Sequence, residues 1–392
     1  MIKKQDIQLV LPALLIISIW AFNEDKIITY PIKIIFILYY GYRWLMQSRG
    51  IASKYQFWCI IMMMFTLVAF VFAGGGSRAL YTMINMFQVL LIGYCLMPLI
   101  SDGKLNEDFL ITCIIAGGCI LGIRLVLTTP ISTWLSFERL GASIGYSSND
   151  IGNKAAVSAI FSICFMKESH GKRKLKYLAV FIFLGIIVLF SGSRKALLSV
   201  LIAGVLFYTI GLKNKRNFFI SIVLITVACF GIYHLIMNNS ALYWTVGRRI
   251  ESMIGAVFYG QSEASSIDLR EKYMMLAWEL FKKSPIAGIG LDQFAIKSGI
   301  GVYCHCDYLE VMCGYGIVGA VIYYLPFLGT LFKLVSIDIK STRDYTFIIL
   351  IMVLLFNFFT MIMYTSAYTQ ILLVLSITHC HRYFYRLEIG EY

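Results

Sequence analysis

The sequence predicts an all-α polytopic membrane protein with about 12 transmembrane helices. Three observations carry this expectation. Hydrophobic residues fill 59% of the 392 positions and charged residues 14%, where a soluble domain has about half and about a quarter. The apolar residues fall in runs close to the 20 or so that span a bilayer. Lys and Arg collect in alternate loops, with more than half of the 34 on one side of the trace, and that bias sets orientation. The net charge of +13 therefore reads as positive loops on one face of a membrane, not as a nucleic-acid surface.

The apolar runs lie at 7–22, 28–46, 56–73, 80–99, 109–128, 151–166, 177–192, 195–212, 218–236, 307–332, 345–364 and 367–385. The sixth is the most polar, because Asn149, Asp150, Asn153 and Lys154 load its first turn. Only Thr365 and Ser366 separate the last two, which predicts a tight hairpin. The first run lacks a small-residue cleavage site and opens a long series, so it reads as a span and not a signal peptide. An even count puts both termini on the side of Lys3, Lys4, Arg43, Lys54, Lys104, Lys172, Lys215, Lys333, Arg343 and Arg382. By the positive-inside bias that side is the cytoplasm.

Three regions result. Residues 1–236 hold spans one to nine, 237–304 form a long extracytoplasmic loop, and 305–392 hold spans ten to twelve with a cytoplasmic tail. Within the loop, residues 268–283 place Leu269, Tyr273, Leu276, Ala277, Leu280 and Phe281 on one helical face. Such a helix lies along the membrane surface or over a cavity. Ser284-Pro285 ends it, and Gly288 and Gly290 mark a turn. Cys59, Cys95, Cys113, Cys119, Cys164 and Cys229 sit inside apolar runs, where Cys acts as a small hydrophobe. No disulfide framework is read from the ten cysteines.

Two polar constellations stand against this apolar background. The first is a set of cations on the outer side: Arg139, Arg194, Arg248, Arg249 and Arg270, with Lys154, Lys195 and Arg124. Guanidinium forks fit phosphate oxygens bidentately, so the set suits a lipid-linked pyrophosphate at headgroup depth. The competing reading makes them interfacial anchors, or partners of Glu138, Asp150, Glu251 and Asp268. The second is His305, Asp307 and Glu310 at the mouth of the tenth span. Carboxylates at 307 and 310 share a helical face, and a histidine beside them is suited to general-base chemistry near neutral pH. The competing reading makes Asp307 a helix cap. Cys304, His305, Cys306 and Asp307 are all metal-ligand types, but their spacing fits no standard zinc pattern, so no metal or other cofactor is expected. Gly74-Gly75-Gly76 lacks the Lys-Ser/Thr and strand context of a phosphate loop and reads as a turn.

Three segments resemble the O-antigen ligase and Wzy-type polysaccharide polymerase superfamily. Residues 139–153, RLGASIGYSSNDIGN, resemble its R-x-x-G … N element, and 190–198, FSGSRKALL, resemble its T/S-x-S-R-x-x-x-L element. Residues 270–319 resemble a helix opening with Arg, then P-x-x-G-x-G, H-N-x-x-L and G-x-x-G, at Arg270, Pro285, Gly288, Gly290, His305, Leu309, Gly316 and Gly319. The Asn that follows the family's His is Cys306 here, and the acidic residue before G-x-x-G is absent. The resemblance implies a GT-C-like architecture. It also implies inverting glycosyl transfer, without a metal, from an undecaprenyl-pyrophosphate-linked oligosaccharide on the outer face of a bacterial cytoplasmic membrane. It casts Arg194, Arg270 and Arg139 as pyrophosphate clamps, supported by Arg248 and Lys195. His305 or Asp307 is then the group that activates the acceptor hydroxyl. Flippase and chain-length regulator proteins are the implied partners.

Within the superfamily, a composition rich in Ile, Lys and Asn suggests an AT-rich genome and favours a capsule or O-antigen polymerase over a ligase. A flippase for the same lipid-linked sugar is the rival class. It should keep charges along a path open to both sides, whereas here the exceptional polar residues sit at one end. A scaffold gives no reason for a histidine and several arginines at one depth.

Overall fold

A computed structural model describes residues 4–46, 53–134, 140–209, 215–248, 250–251, 255, 267–337 and 341–388. Among them the regular structure is helical, without strands. The long helices are α1 (Lys4–Ala21), α2 (Lys26–Met46), α3 (Lys54–Phe72), α4 (Ser77–Ser101), α5 (Glu107–Thr128), α6 (Ser148–Glu168), α7 (Gly171–Ser191), α8 (Arg194–Thr209), α9 (Lys215–Asn238), α10 (Ile267–Lys283), α11 (Asp307–Ser336), α12 (Thr342–Phe358) and α13 (Ala367–Glu388). Each predicted apolar run falls on one of these helices. Among the described residues, α3, α4, α5, α7 and α11 are long and apolar enough to cross a membrane.

The core follows from small residues that let helices approach. Gly117 of α5 lies against Trp20 of α1, and Gly118 against Ser158 of α6. Pairs α1/α5, α5/α6, α6/α7 and α6/α8 form one side of the bundle, and α3/α4, α4/α13 and α3/α11 the other. Large side chains such as Trp20, Phe161, Tyr323, Phe327, Phe347 and Tyr368 are fully buried between them.

The loop helix α10 uses the face predicted for it, with one exception. Ala277, Leu280 and Phe281 are buried against Phe294, Cys304, Cys306 and Cys313, and Tyr273 and Leu276 pack at the edge. Leu269 is instead 48% exposed, because the apolar contact begins a turn later. Below α10 the chain threads a break in α11. At Gly316 the backbone turns to φ 68°, ψ −176°, which frees helical hydrogen-bonding groups. The loop after α10 takes them up: Ile289 N donates to Cys313 O at 2.7 Å, and Ile317 N donates to Pro285 O at 2.8 Å. A Cβ on Gly316 would lie 2.0 Å from Ile286 O, and one on Gly288 would lie 2.5 Å from Gly316 N. The Pro-Gly-Gly loop and the downstream glycine are therefore two halves of one backbone junction.

The hairpin between the last two helices differs from expectation. α12 stops at Phe358, and residues 359–366 form an extended turn in place of a two-residue link. The reason is visible in its partners. Met363 N and Tyr364 N both donate to the Asp307 carboxylate, at 2.6 and 2.9 Å. The chain leaves the helix to satisfy a buried charge.

Candidate functional site

The site begins with two helix starts brought to one end of the bundle. Gly192 adopts φ 63° and closes α7, so that Arg194 opens α8. Ser193 is 2% exposed, and its Oγ has no hydrogen-bond partner among the described residues. Lys195 donates from Nζ to Thr360 Oγ1 at 2.8 Å. Free backbone N–H groups and the helix dipole already favour an anion at this point. Below it runs a groove of about 300 Å³, walled by Leu189, Leu197, Leu201, Ile250 and Phe356. Leu198 and Phe356 on its rim are 45% and 47% exposed, so the groove opens sideways. It has a cationic mouth over an apolar trough.

Arg270, in the first turn of α10, links this mouth to the histidine. Its charge acts on Lys195 on one side and on His305 and Tyr303 on the other. His305 lies in the left-handed region at φ 63°, a conformation that costs a non-glycine residue about 1–2 kcal/mol. Surrounding bonds impose it. Cys304 N donates to Glu310 Oε2 at 2.9 Å, Cys304 Sγ donates to Cys306 O at 3.0 Å, and Glu310 N donates to Cys306 O at 3.0 Å. The imidazole stacks on Tyr273, with ring centroids 6.0 Å apart and planes 14° apart, and contacts Tyr303 at 4.4 Å. Neither ring nitrogen makes a hydrogen bond among the described residues. Partial burial, then Arg270, hold its pKa below the ordinary 6.5, so the ring is neutral at pH 7. A neutral imidazole with a free nitrogen beside a cationic cluster can accept a proton.

Beyond Tyr303 lies a polar cleft of about 360 Å³, lined by Tyr81, Thr82, Asn85, Asp292, Glu310 and Tyr364. Arg78 and Thr82 hold Asp292 from the far wall, at 2.8 and 3.1 Å.

The predicted site residues divide. Arg194 and Lys195 line one groove mouth, and the Arg270 charge acts on both Lys195 and His305. Arg248 lies over the Trp244 ring at 5.7 Å, two residues before Ile250 of the groove wall. Arg139, like Arg249, lies outside the described residues. Asp307 is placed differently from the acid–base expectation. It is 0% exposed, and Tyr324 Oη donates to its Oδ2 at 2.8 Å while the two amides of the 359–366 turn take Oδ1. Nor does it cap its own helix, whose N-cap is Cys306. Its carboxylate is spent on joining α11 to the last turn.

Two other outer cations serve structure. Lys154, 1% exposed, pairs with Asp150 at 2.7 Å and sits over the Tyr146 ring. Arg124 binds the Ala21 carbonyl that ends α1 and covers the Phe22 ring at 4.3 Å. Sequence reasoning missed Tyr303, Thr360 and the polar cleft. Tyr303 stands two residues before His305, but nothing in its spacing says that a left-handed turn will fold it back.

Residues 179–324 match the family model described as O-antigen ligase. The match takes in Arg194, Lys195, Arg248, Arg270 and His305. No curated protein matches the chain.

Proposed function

We propose that this multi-pass membrane protein, whose residues 179–324 match the O-antigen ligase family model, is a capsule or O-antigen polymerase. It joins undecaprenyl-pyrophosphate-linked repeat units by inverting glycosyl transfer. One observation carries the reading: a cationic mouth over an apolar groove, with an unbonded imidazole within reach of the same arginine. The prenyl chain lies along Leu197, Leu198, Leu201 and Phe356. The pyrophosphate sits on the N-terminus of α8 with Arg194, Lys195 and Arg270, joined by Arg248 and Arg139. The acceptor sugar occupies the polar cleft, where hydroxyls and tyrosine faces suit a carbohydrate.

The acceptor hydroxyl attacks the anomeric carbon as its proton passes to His305. The carbon–oxygen bond to pyrophosphate breaks, and the electron pair leaves with the lipid pyrophosphate. Fixed cations meet the charge that develops on that leaving group, so no strong acid and no metal is required. Asp307 supports this arrangement by holding the mouth of α11 and does not touch the reacting atoms.

In this reading the apolar helices make about twelve spans of a GT-C-like fold in the bacterial cytoplasmic membrane. Both termini are cytoplasmic and the 237–304 loop is outside, beside flippase and chain-length regulator partners. A ligase uses the same donor and differs only in its acceptor, a lipid A core. Purified protein in liposomes with one lipid-linked repeat unit tests the choice. A ladder of lengthening products, lost in Arg194→Ala and Arg270→Ala, is expected. Products that form only when a separate acceptor is added would make it a ligase. Transport of the unit across the bilayer without any new glycosidic bond would sink the enzyme reading.

A further inference from the structure

The end of α11 remote from His305 carries a second lipid-facing groove. Pro326 shapes it. Proline has no N–H, so the carbonyl four residues earlier loses its helical donor. Trp58 Nε1 supplies the replacement, donating to Ile322 O at 2.7 Å. This draws α3 onto α11 and leaves a groove of about 420 Å³ beside Trp58, Met97, Leu325, Gly329 and Ile377. Leu325 on its wall is 61% exposed, so the groove opens to the hydrocarbon of the bilayer.

Its end is cationic from two elements, Lys54 of α3 and Lys333 of α11, with His381 of α13 beside them. Both lysine charges act on His381. Among the described residues no carboxylate lines the groove, and neither lysine makes an ion pair. Arg343, at the same end, instead meets Glu107, Asp108 and Glu168. Two unpaired ammonium groups closing an apolar groove at headgroup depth form a site for a lipid with an anionic head.

We propose that this groove binds one anionic phospholipid of the leaflet opposite His305, its phosphate held between Lys54 and Lys333 and an acyl chain along Leu325 and Trp58. The site is separate from the catalytic groove, and its failure would leave the polymerase reading untouched.

Fluorescence quenching of the full-length protein in nanodiscs tests it. Phosphatidylglycerol brominated on its acyl chains should quench tryptophan emission more than brominated phosphatidylcholine at equal mole fraction. Trp58→Phe should remove that excess, and Lys54→Gln/Lys333→Gln should reduce it at least twofold. Equal quenching by both lipids would overturn the proposal, as would an excess that survives the double substitution. Inorganic phosphate added to phosphatidylcholine discs separates a free-anion site from a lipid site. A rise in melting temperature that phosphate reproduces in full, and that the double substitution abolishes, would replace the lipid by a soluble anion and overturn the assignment. The wild-type quenching comparison stands even if a variant fails to fold.

Discussion

His305 and Asp307, two positions apart, show how differently the same polar run is used. His305 is stacked, half-buried and unbonded at its nitrogens. Its pKa is lowered from 6.5 by burial and then by Arg270. The base is therefore competent above that lowered value and lost as pH falls through it. Polymerisation rate measured against pH should hold from neutrality to below pH 6.5 and then drop about tenfold per unit. His305→Ala should lower the rate about 10²–10⁴-fold and erase that limb. A limb unchanged in the variant would assign the proton to another group. Asp307, by contrast, accepts two amides and a phenol in full burial. Asp307→Ala leaves those donors unsatisfied, at about 1–3 kcal/mol each, and should lower the melting temperature sharply. Asp307→Asn keeps an acceptor for the amides and should restore most of the loss together with activity. A stable but inactive Asp307→Asn would return the residue to the chemistry. The sequence made His305 and Glu310 visible by placing titratable groups at a span mouth. It did not reveal Asp307's duty, because its partners come from residues 363 and 364, far along the chain.

At the scale of elements, the backbone junction between the loop after α10 and the break in α11 carries most of the positioning. Gly316→Ala meets both a left-handed φ and the Ile286 carbonyl, so it should cost upwards of about 2 kcal/mol and reduce folded yield in detergent. Gly329→Ala, later in the same helix with open space around it, should leave the yield unchanged. Equal effects would show that helix propensity, not the junction, matters. The helix positions were legible, since apolar runs of spanning length leave little alternative in a bilayer. The ends were less so. The 359–366 turn was hidden by the apolar residues it contains, Met361, Ile362 and Met363. These look like span to a hydropathy reading, yet stand outside any helix where the buried Asp307 carboxylate takes the amides of Met363 and Tyr364.

For the whole molecule, polarity is distributed by end. One end gathers Arg194, Lys195, Arg270 and His305, and the other gathers Glu107, Asp344, Arg343 and His379 in an ionic network. Sidedness is open to direct test in a background lacking exposed Cys229. A thiol placed by Glu271→Cys should react with a membrane-impermeant maleimide on intact cells. One placed by Lys172→Cys should react only after permeabilisation. The reverse pattern would put the proposed chemistry in the cytoplasm, where a polymerase for exported chains has no use for it. The charge bias of the loops predicts which end faces the cytoplasm; the groove at each end is a product of side-chain packing and has no linear signature.

One connection reaches across the reaction centre. The same turn that supplies Met363 and Tyr364 to Asp307 also supplies Thr360 to Lys195, and Asn153 of α6 touches its Met361. A donor that draws the Lys195 ammonium away from Thr360 thus slackens the strap fastened at the entrance of α11. Under the proposed function, this one turn would couple the outgoing lipid to the place where the incoming sugar is met.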